Sequence, residues 1–350
     1  MLFTNKTKGF FVEYNDAGIL IARTSAPSGP MEIEELAECP LNDSAALEEA
    51  IKKVQPQRSP SGYLHATVGI YPAKRVVRRH TLELKRLREQ GYMAEVFTQH
   101  LRVEQDKYTI ALLNSGDGSD YDLAKGAQKD VIFCGLPTED IVSIQEGLLK
   151  EGIFPEHLEL STVAVLGAVI DGLNFIKSKA PTLVLEIGDD ATQSFIVSST
   201  GVEASRPIPQ GLAAMVPIVQ KELGLKDEES ARKLFFSNTF DFTGMGPLLI
   251  KRLLKELQSS IGFYEVQTGQ SVGQVICMLL PAKAAWIEQT ISSSLGVSSL
   301  KLDVPGWLRS RSVTVNDTLV KTVEDPRWMS LLSLIVHYTS ANGLAAQEKS

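Results

Sequence analysis

Cysteine and histidine are scarce in this sequence. Cys39, Cys134 and Cys277 are the only thiols in 350 residues, and they lie far apart. With no Cys-x-x-Cys pair, they suggest neither a zinc site nor a disulfide framework, and a reducing, cytoplasmic setting is expected. The histidines, His65, His80, His100, His157 and His337, follow no ligand spacing and stand in no evident serine–acid constellation. A catalytic base must be held within reach of its partners, so these side chains are read as structural and no metal site is expected. Long apolar runs are also missing. The longest, Val163–Ile170 and Val275–Leu280, fall well short of the roughly 18 residues that span a bilayer. Met1-Leu2-Phe3-Thr4-Asn5-Lys6 has no apolar core, so no signal peptide is expected. Positive charge is not in excess: 35 Lys and Arg face 42 Asp and Glu, a net charge of −7. That balance excludes a nucleic-acid binder working through a broad basic face.

What is present is a chain long enough for two cores. Phe10–Tyr14 and Ile19–Ala22 flank the turn Asn15-Asp16-Ala17-Gly18 and predict a β-hairpin, with a third strand over Glu32–Pro40. Ser44–Val54 reads as a helix and Tyr63–Tyr71 as a strand. A charged amphipathic helix is expected over Leu82–Gln99, and a strand pair over Leu101–Glu104 and Tyr108–Leu113. Asp130–Gly135 predicts a strand, Thr138–Glu151 a helix capped by Thr138, Leu158–Leu160 a short strand and Ser161–Phe175 a helix. After Lys177–Pro181 the pattern begins again. Leu183–Ile187, Thr192–Ser198 and Val202–Pro207 read as strands, followed by helices over Leu212–Leu223, Asp227–Phe235 and Met245–Thr268. Val275–Leu279 is a strand, and Ala282–Leu295 and Trp328–Leu344 are helices. Two units that each open with strand, turn and strand predict a duplicated α/β architecture, divided as 1–175 and 176–350. A ligand of such a fold is expected between the units.

Several segments carry a resemblance. Leu183-Val184-Leu185-Glu186-Ile187-Gly188-Asp189-Asp190-Ala191-Thr192 resembles a strand ending in Asp-Ile-Gly-x-x-x-Thr. That is the second phosphate hairpin of the PilM-type actin-like proteins of type IV pilus assembly, relatives of the cell-division protein FtsA. Arg206–Gly211 is similar to the family's Ile-Pro-x-Gly segment, Leu253–Gly269 to its helix ending in Tyr-x-x-x-x-Gly, and Gly152–Leu173 to its crossover from the first lobe into the first long helix. The resemblance implies a two-lobed actin-like (ribonuclease H-like) duplicated fold, with an extra subdomain of the FtsA and PilM type near residues 62–125.

It also implies where a nucleotide would sit and what has changed there. Along Glu13–Leu20, Asn15 stands in place of the glycine of Asp-x-Gly, and Leu20 in place of a lysine. Loss of a charged hydrogen bond of that kind costs about 1.5–3 kcal/mol. In the second hairpin Gly188 and Thr192 are kept, with Asp189 between them, and Glu186 replaces the acid that would order a magnesium-bound water. The third element, a Ser-Gly-Gly-Gly tract in the family, is replaced by Leu279-Leu280-Pro281-Ala282-Lys283. Glu13, Asn15, Glu186, Gly188, Asp189, Thr192 and Lys283 are therefore the degenerate nucleotide positions. No catalytic residue and no cofactor beyond weak ATP and magnesium is expected.

By the same resemblance the chain is a scaffold beneath the inner membrane, capturing the cytoplasmic tail of a PilN-like bitopic partner alongside other pilus platform components. Val68, Ile70, Tyr71, Val76 and Val77 are the candidate groove walls. The basic run Lys74–His80 is a solvated face or meets an acidic partner or anionic membrane. The C-terminus shows no basic-flanked amphipathic helix, so any membrane association is expected to be indirect. The alternatives are a working actin-like ATPase and an FtsA-like filament protein. A type II secretion context fits as well as a pilus.

Overall fold

The computed structural model describes residues 7–347 apart from positions 58, 126, 127 and 238, and gives the backbone alone at 282 and 340–347. Along the chain run β1 (Gly9–Asn15), β2 (Gly18–Thr24), β3 (Met31–Cys39), α1 (Ser44–Val54), β4 (Leu64–Ile70), β5 (Val76–Thr81), α2 (Tyr92–Glu95) and β6 (Tyr108–Asn114). Next come β7 (Asp130–Pro137), α3 (Thr138–Lys150), β8 (Ile153–Leu160), α4 (Ser161–Phe175), β9 (Thr182–Ile187), β10 (Thr192–Ser198) and β11 (Gly201–Ile208). Then follow α5 (Val216–Glu222), α6 (Glu228–Phe235), α7 (Gly246–Leu249), α8 (Lys251–Thr268), β12 (Gln274–Met278), α9 (Trp286–Leu295) and β13 (Ser298–Ser299). The chain ends with α10 (Val304–Ser310), β14 (Val313–Val315), α11 (Val320–Val323) and α12 (Met329–Gln347).

Two compact units form, Met1–Val169 with Asp303–Ser350, and Ile170–Leu302. In the first, the sheet order is β14-β3-β2-β1-β4-β8; in the second it is β11-β10-β9-β12-β13. Without β14 the two orders are the same: an antiparallel hairpin with a third strand, then parallel strands added beyond the first one. The duplication expected from the sequence is thus present in topology. In each unit a glutamate sits near the end of the first strand. Glu13 faces Gly69 across the parallel β1–β4 pair, and Glu186 faces Met278 across β9–β12.

Burial decides the layers. In unit 1, Val12, Ile21, Val68 and Ile153 of the sheet pack with Leu47, Ala50 and Val54 of α1 and Leu148 of α3. α12 packs on β1 and β2, burying Leu331, Leu332, Leu334 and Ile335 completely. That helix corrects the expected division at 175/176. The last segment completes the first sheet, β14 pairing in parallel with β3 at Val313↔Met31, because its apolar residues have their burial there. In unit 2, Leu183, Leu185, Ile196, Val216, Leu257, Val275 and Ile287 form the core.

A separate three-stranded sheet, β5-β7-β6, builds the extra subdomain of unit 1 around Val96, Phe97, Val131 and Phe133. It begins after β4, which belongs to the main sheet, paired in parallel with both β1 and β8. Val68 and Ile70 are therefore main-sheet residues, not residues of the extra subdomain. The helix expected over Leu82–Gln99 is instead a 3-10 turn at Leu84–Arg86, then α2, then a π-helical turn at Val96–Leu101. Arg102, at φ 58, turns the chain where a strand was expected. Among the described residues no helix is long and apolar enough to cross a membrane.

All three thiols are buried. Burial pushes Cys134 up to about 11 and Cys277 well above the ordinary thiol range; burial, followed by Asp43, also raises Cys39. Since the thiolate is the reactive form, the native protein is expected to stay unmodified by Ellman's reagent at pH 8. Denaturant should release all three thiols together with the loss of far-ultraviolet circular dichroism.

Candidate functional site

The first hairpin lies wholly within unit 1. Glu13 is fully buried. Ser161 Oγ, at the start of α4, donates to Glu13 Oε2 at 3.0 Å, and Asn15 Nδ2 lies 3.4 Å from Oε1. Gly69 leaves room for this contact, since a β-carbon there would come within 2.3 Å of Ser161 Oγ. Asn15 does not use the left-handed backbone that a glycine would offer. Its Oδ1 accepts from Ala17 N–H at 2.9 Å and caps the hairpin's own turn. Leu20 is a buried side chain of the hairpin.

The second hairpin is tied to the segment that follows β11. Gly188 N–H donates to the Ala191 carbonyl at 3.0 Å, closing the tip. The Gly188 and Asp189 carbonyls accept from Leu212 and Ala213 N–H at 3.0 and 2.9 Å. Gly211 makes this approach possible: a β-carbon on it would meet the Asp189 oxygen at 2.3 Å and the Gly188 oxygen at 2.5 Å. Thr192, fully buried, donates its hydroxyl to the Gln210 carbonyl at 2.7 Å. Glu186 is buried in the sheet beneath. Asp189 pairs with Arg232 of α6 at 2.6 Å, partly exposed.

At the third element Leu279 adopts φ 67. That conformation costs a residue with a β-carbon roughly 1–2 kcal/mol and suits glycine. The backbone there takes a glycine-like path with a leucine side chain on it. Lys283 Nζ donates to the Phe236 carbonyl at 2.9 Å, where a cation also complements the C-terminal end of α6. Of the positions singled out from sequence, Glu13 and Asn15 meet in one hairpin, and Glu186, Gly188, Asp189 and Thr192 gather about the other. Lys283 and Asp189 both end on α6. Among the described residues no cluster of three or more His, Cys, Asp or Glu side chains could hold a metal ion.

The candidate walls divide. Val68 and Val77 are buried in sheet cores, and Val76 packs inside the extra subdomain. Ile70 and Tyr71 instead line a cavity of about 320 Å³ with Tyr14, Leu41, Pro72 and Leu148. Its polar edge is Tyr14 Oη donating to Glu151 Oε2 at 2.7 Å; burial, then Glu151, holds that phenol well above the usual range. Leu41, Ile144 and Leu148 were missed from sequence because they come from a loop and from α3, distant in the chain from β4. Sequence also missed a second grouping, Ser61, His65 and Glu156, which the fold brings side by side.

No family model matches the chain, and no curated protein matches it significantly. Solved structures do. The fold is the actin-like one, with its duplicated sheets and added subdomain. The structure titled "PilM-PilN type IV pilus biogenesis complex" is similar over 96% of this chain and 99% of that one, at 16% identity and a TM-score of 0.68. Lower likenesses include the ethanolamine utilization protein EutJ from Carboxydothermus hydrogenoformans, at 11% identity, 94% and 89% coverage and a TM-score of 0.44. Another is a protein of actin-like ATPase fold and unknown function from Bacteroides thetaiotaomicron, at 9% identity, 96% and 98% coverage and a TM-score of 0.44.

If the retained Thr192 serves the clasp, Thr192→Val should destabilise the protein by about 1–3 kcal/mol, the cost of stranding a buried hydrogen-bonding group. Asp189→Ala removes only a partly exposed ion pair and should cost below about 1 kcal/mol. Urea denaturation of both variants checks the contrast.

Proposed function

We propose that this chain is a scaffold of a type IV pilus, or related type II secretion, assembly platform. It holds the cytoplasmic tail of a PilN-like bitopic membrane protein and is joined to the inner membrane only through partners. The observation that carries the reading is the apolar cavity of unit 1. It is large enough for one or two side chains of an extended peptide, is rimmed by the exposed Leu41, and has Glu151 at its edge. A recognition site of this kind needs apolar pockets for alternate side chains and polar groups to orient the chain. The likeness to the PilM–PilN complex over nearly the whole chain motivates the identity of the partner.

The residues at the nucleotide positions do not fit ATP. A phosphate hairpin works through free backbone N–H groups and a nearby cation. In unit 1, Ala17 N–H is taken by Asn15 and the lysine position is a buried leucine. In unit 2, Gly188 N–H is taken by Ala191, and Lys283 is engaged at the end of α6. These observations support a scaffold that neither needs nor turns over nucleotide.

Calorimetry tests both halves. Magnesium-ATP should give no binding heat and no phosphate release, while a synthetic cytoplasmic segment of the PilN-like protein from the same genome should bind. Leu41→Asp should weaken that peptide about tenfold or more, the effect of losing one interface anchor worth over 1 kcal/mol, and should leave the melting temperature unchanged. ATP turnover at micromolar affinity, with no peptide binding, overturns the proposal.

A further inference from the structure

At the other end of β4 from that cavity's Ile70, the loop before β4, β4 itself and β8 bring together Ser61, His65 and Glu156. Ser61 Oγ lies 2.8 Å from His65 Nε2, and His65 Nδ1 lies 3.4 Å from Glu156 Oε1. The three groups follow the order hydroxyl, imidazole, carboxylate, with each ring nitrogen turned to a different neighbour. Three further observations bear on how they are held.

The first concerns Glu156. The β4–β8 ladder shifts between Ala66 and Thr67: Pro155 pairs with Ala66 and His157 with Thr67, so Glu156 is the inserted residue. A bulge re-aims a side chain and is common beside reactive sites. Second, the imidazole is braced. Its ring packs on Phe154, directly opposite on β8, at 4.9 Å between centroids and 31° between planes. Third, the serine sits where chemistry can reach it. Gly62, at φ 81, makes the tight turn that returns Ser61 toward His65, and beyond its chain neighbours nothing lies within 4 Å of where a β-carbon of Gly62 would be. Ser59 Oγ lies 2.9 Å from Ser61 Oγ and can donate to it, leaving the Ser61 proton directed at His65. Beside the imidazole opens a cavity of about 350 Å³ lined by Phe10, Thr67 and Glu156 among others.

We infer that Ser61 is an activated nucleophile for acyl transfer from small carboxylic esters, with His65 as its general base and Glu156 as a positioning residue. A carboxylate on Nδ1–H fixes the tautomer whose Nε2 accepts a proton. Ser61 Oγ attacks the ester carbonyl and its proton passes to His65 Nε2. A Ser61–acyl bond forms as the ester C–O bond breaks, and the proton is then given to the departing alkoxide. Water, deprotonated by the same imidazole, releases the carboxylic acid and restores the serine. The inference goes beyond the scaffold reading and uses none of its residues.

The test is covalent labelling of the full chain with a fluorophosphonate probe, in which a P–O bond to Ser61 forms, fluoride leaves and the proton goes to His65. Mass spectrometry should map the adduct of the native protein to Ser61, and heat-denatured protein should not carry it. Ser61→Ala should abolish labelling, and His65→Ala should slow it about 100-fold, the usual worth of a general base. In Glu156→Ala the imidazole ¹⁵N spectrum should lose the Nδ1–H tautomer of His65. Native protein that stays unlabelled, an adduct that survives Ser61→Ala, or an unchanged rate in His65→Ala overturns the inference.

Discussion

Leu212 N–H donates to the Gly188 carbonyl and Ala213 N–H to that of Asp189, and both bonds require Gly211 to lie against the hairpin tip. No side chain fits at that point, so the path of the chain after β11 is fixed there. From this clasp the rest of unit 2 is strung. The turn at Leu212–Met215 leads into α5, and α6 is fastened back to the tip through Arg232 and Asp189. Lys283, after β12, closes onto the end of the same helix. Segments distant in sequence are thus joined at the hairpin tip and at α6, by backbone bonds at the one and by side chains at the other.

Unit 1 reaches a related result with side chains. A carboxylate removed from water is tolerated only where hydrogen bonds replace hydration. Glu13 meets that condition through Ser161 and Asn15, while Asn15 also spends its oxygen on the turn. The parallel pairing with β4 supplies the space, because Gly69 opposes Glu13 and leaves Ser161 free to approach. The buried acid therefore links β1 to the start of α4. The two hairpins share a topology, and each is satisfied locally by different means.

The hairpins, their third strands and the long helices were legible because period and turn chemistry agree with burial: Asn15–Gly18 turns, and Leu183–Ile187 is wholly buried. The extra subdomain was harder. Val76–Thr81 reads as a basic run, yet it is a strand, with Arg79 paired to Asp130 of β7 at 2.9 Å and Val76 facing the subdomain's core. Over Leu82–Gln99 the charges suit a helix, but Gly91 at φ 91 breaks it and redirects the chain. β14 is only three residues long, too short to show a period, and its partner β3 lies at the other end of the sequence. Of the candidate site, the altered residues were legible, but what they bond to was not. Nothing local in the sequence places Lys283 on Phe236, or Glu156 beside His65. The Ser-x-x-x-His spacing at 61 and 65 carries no signal until a bulge far along the chain supplies the acid.

Gly188 and Thr192, the two positions that match the expected hairpin motif, are both bonded within their own unit. Thr192 is fully buried and bonded to the Gln210 carbonyl, and the Gly188 carbonyl is bonded to Leu212 N–H. Thr192 would be needed by this fold with no phosphate near it, since stranding a buried hydrogen-bonding group costs about as much as a lost hydrogen bond. Leu279 makes the converse case. Its backbone takes the left-handed turn that a glycine would adopt without strain. Thr192 thus serves the packing of its own unit, whereas Leu279 sets a bulky side chain on a backbone path that suits glycine.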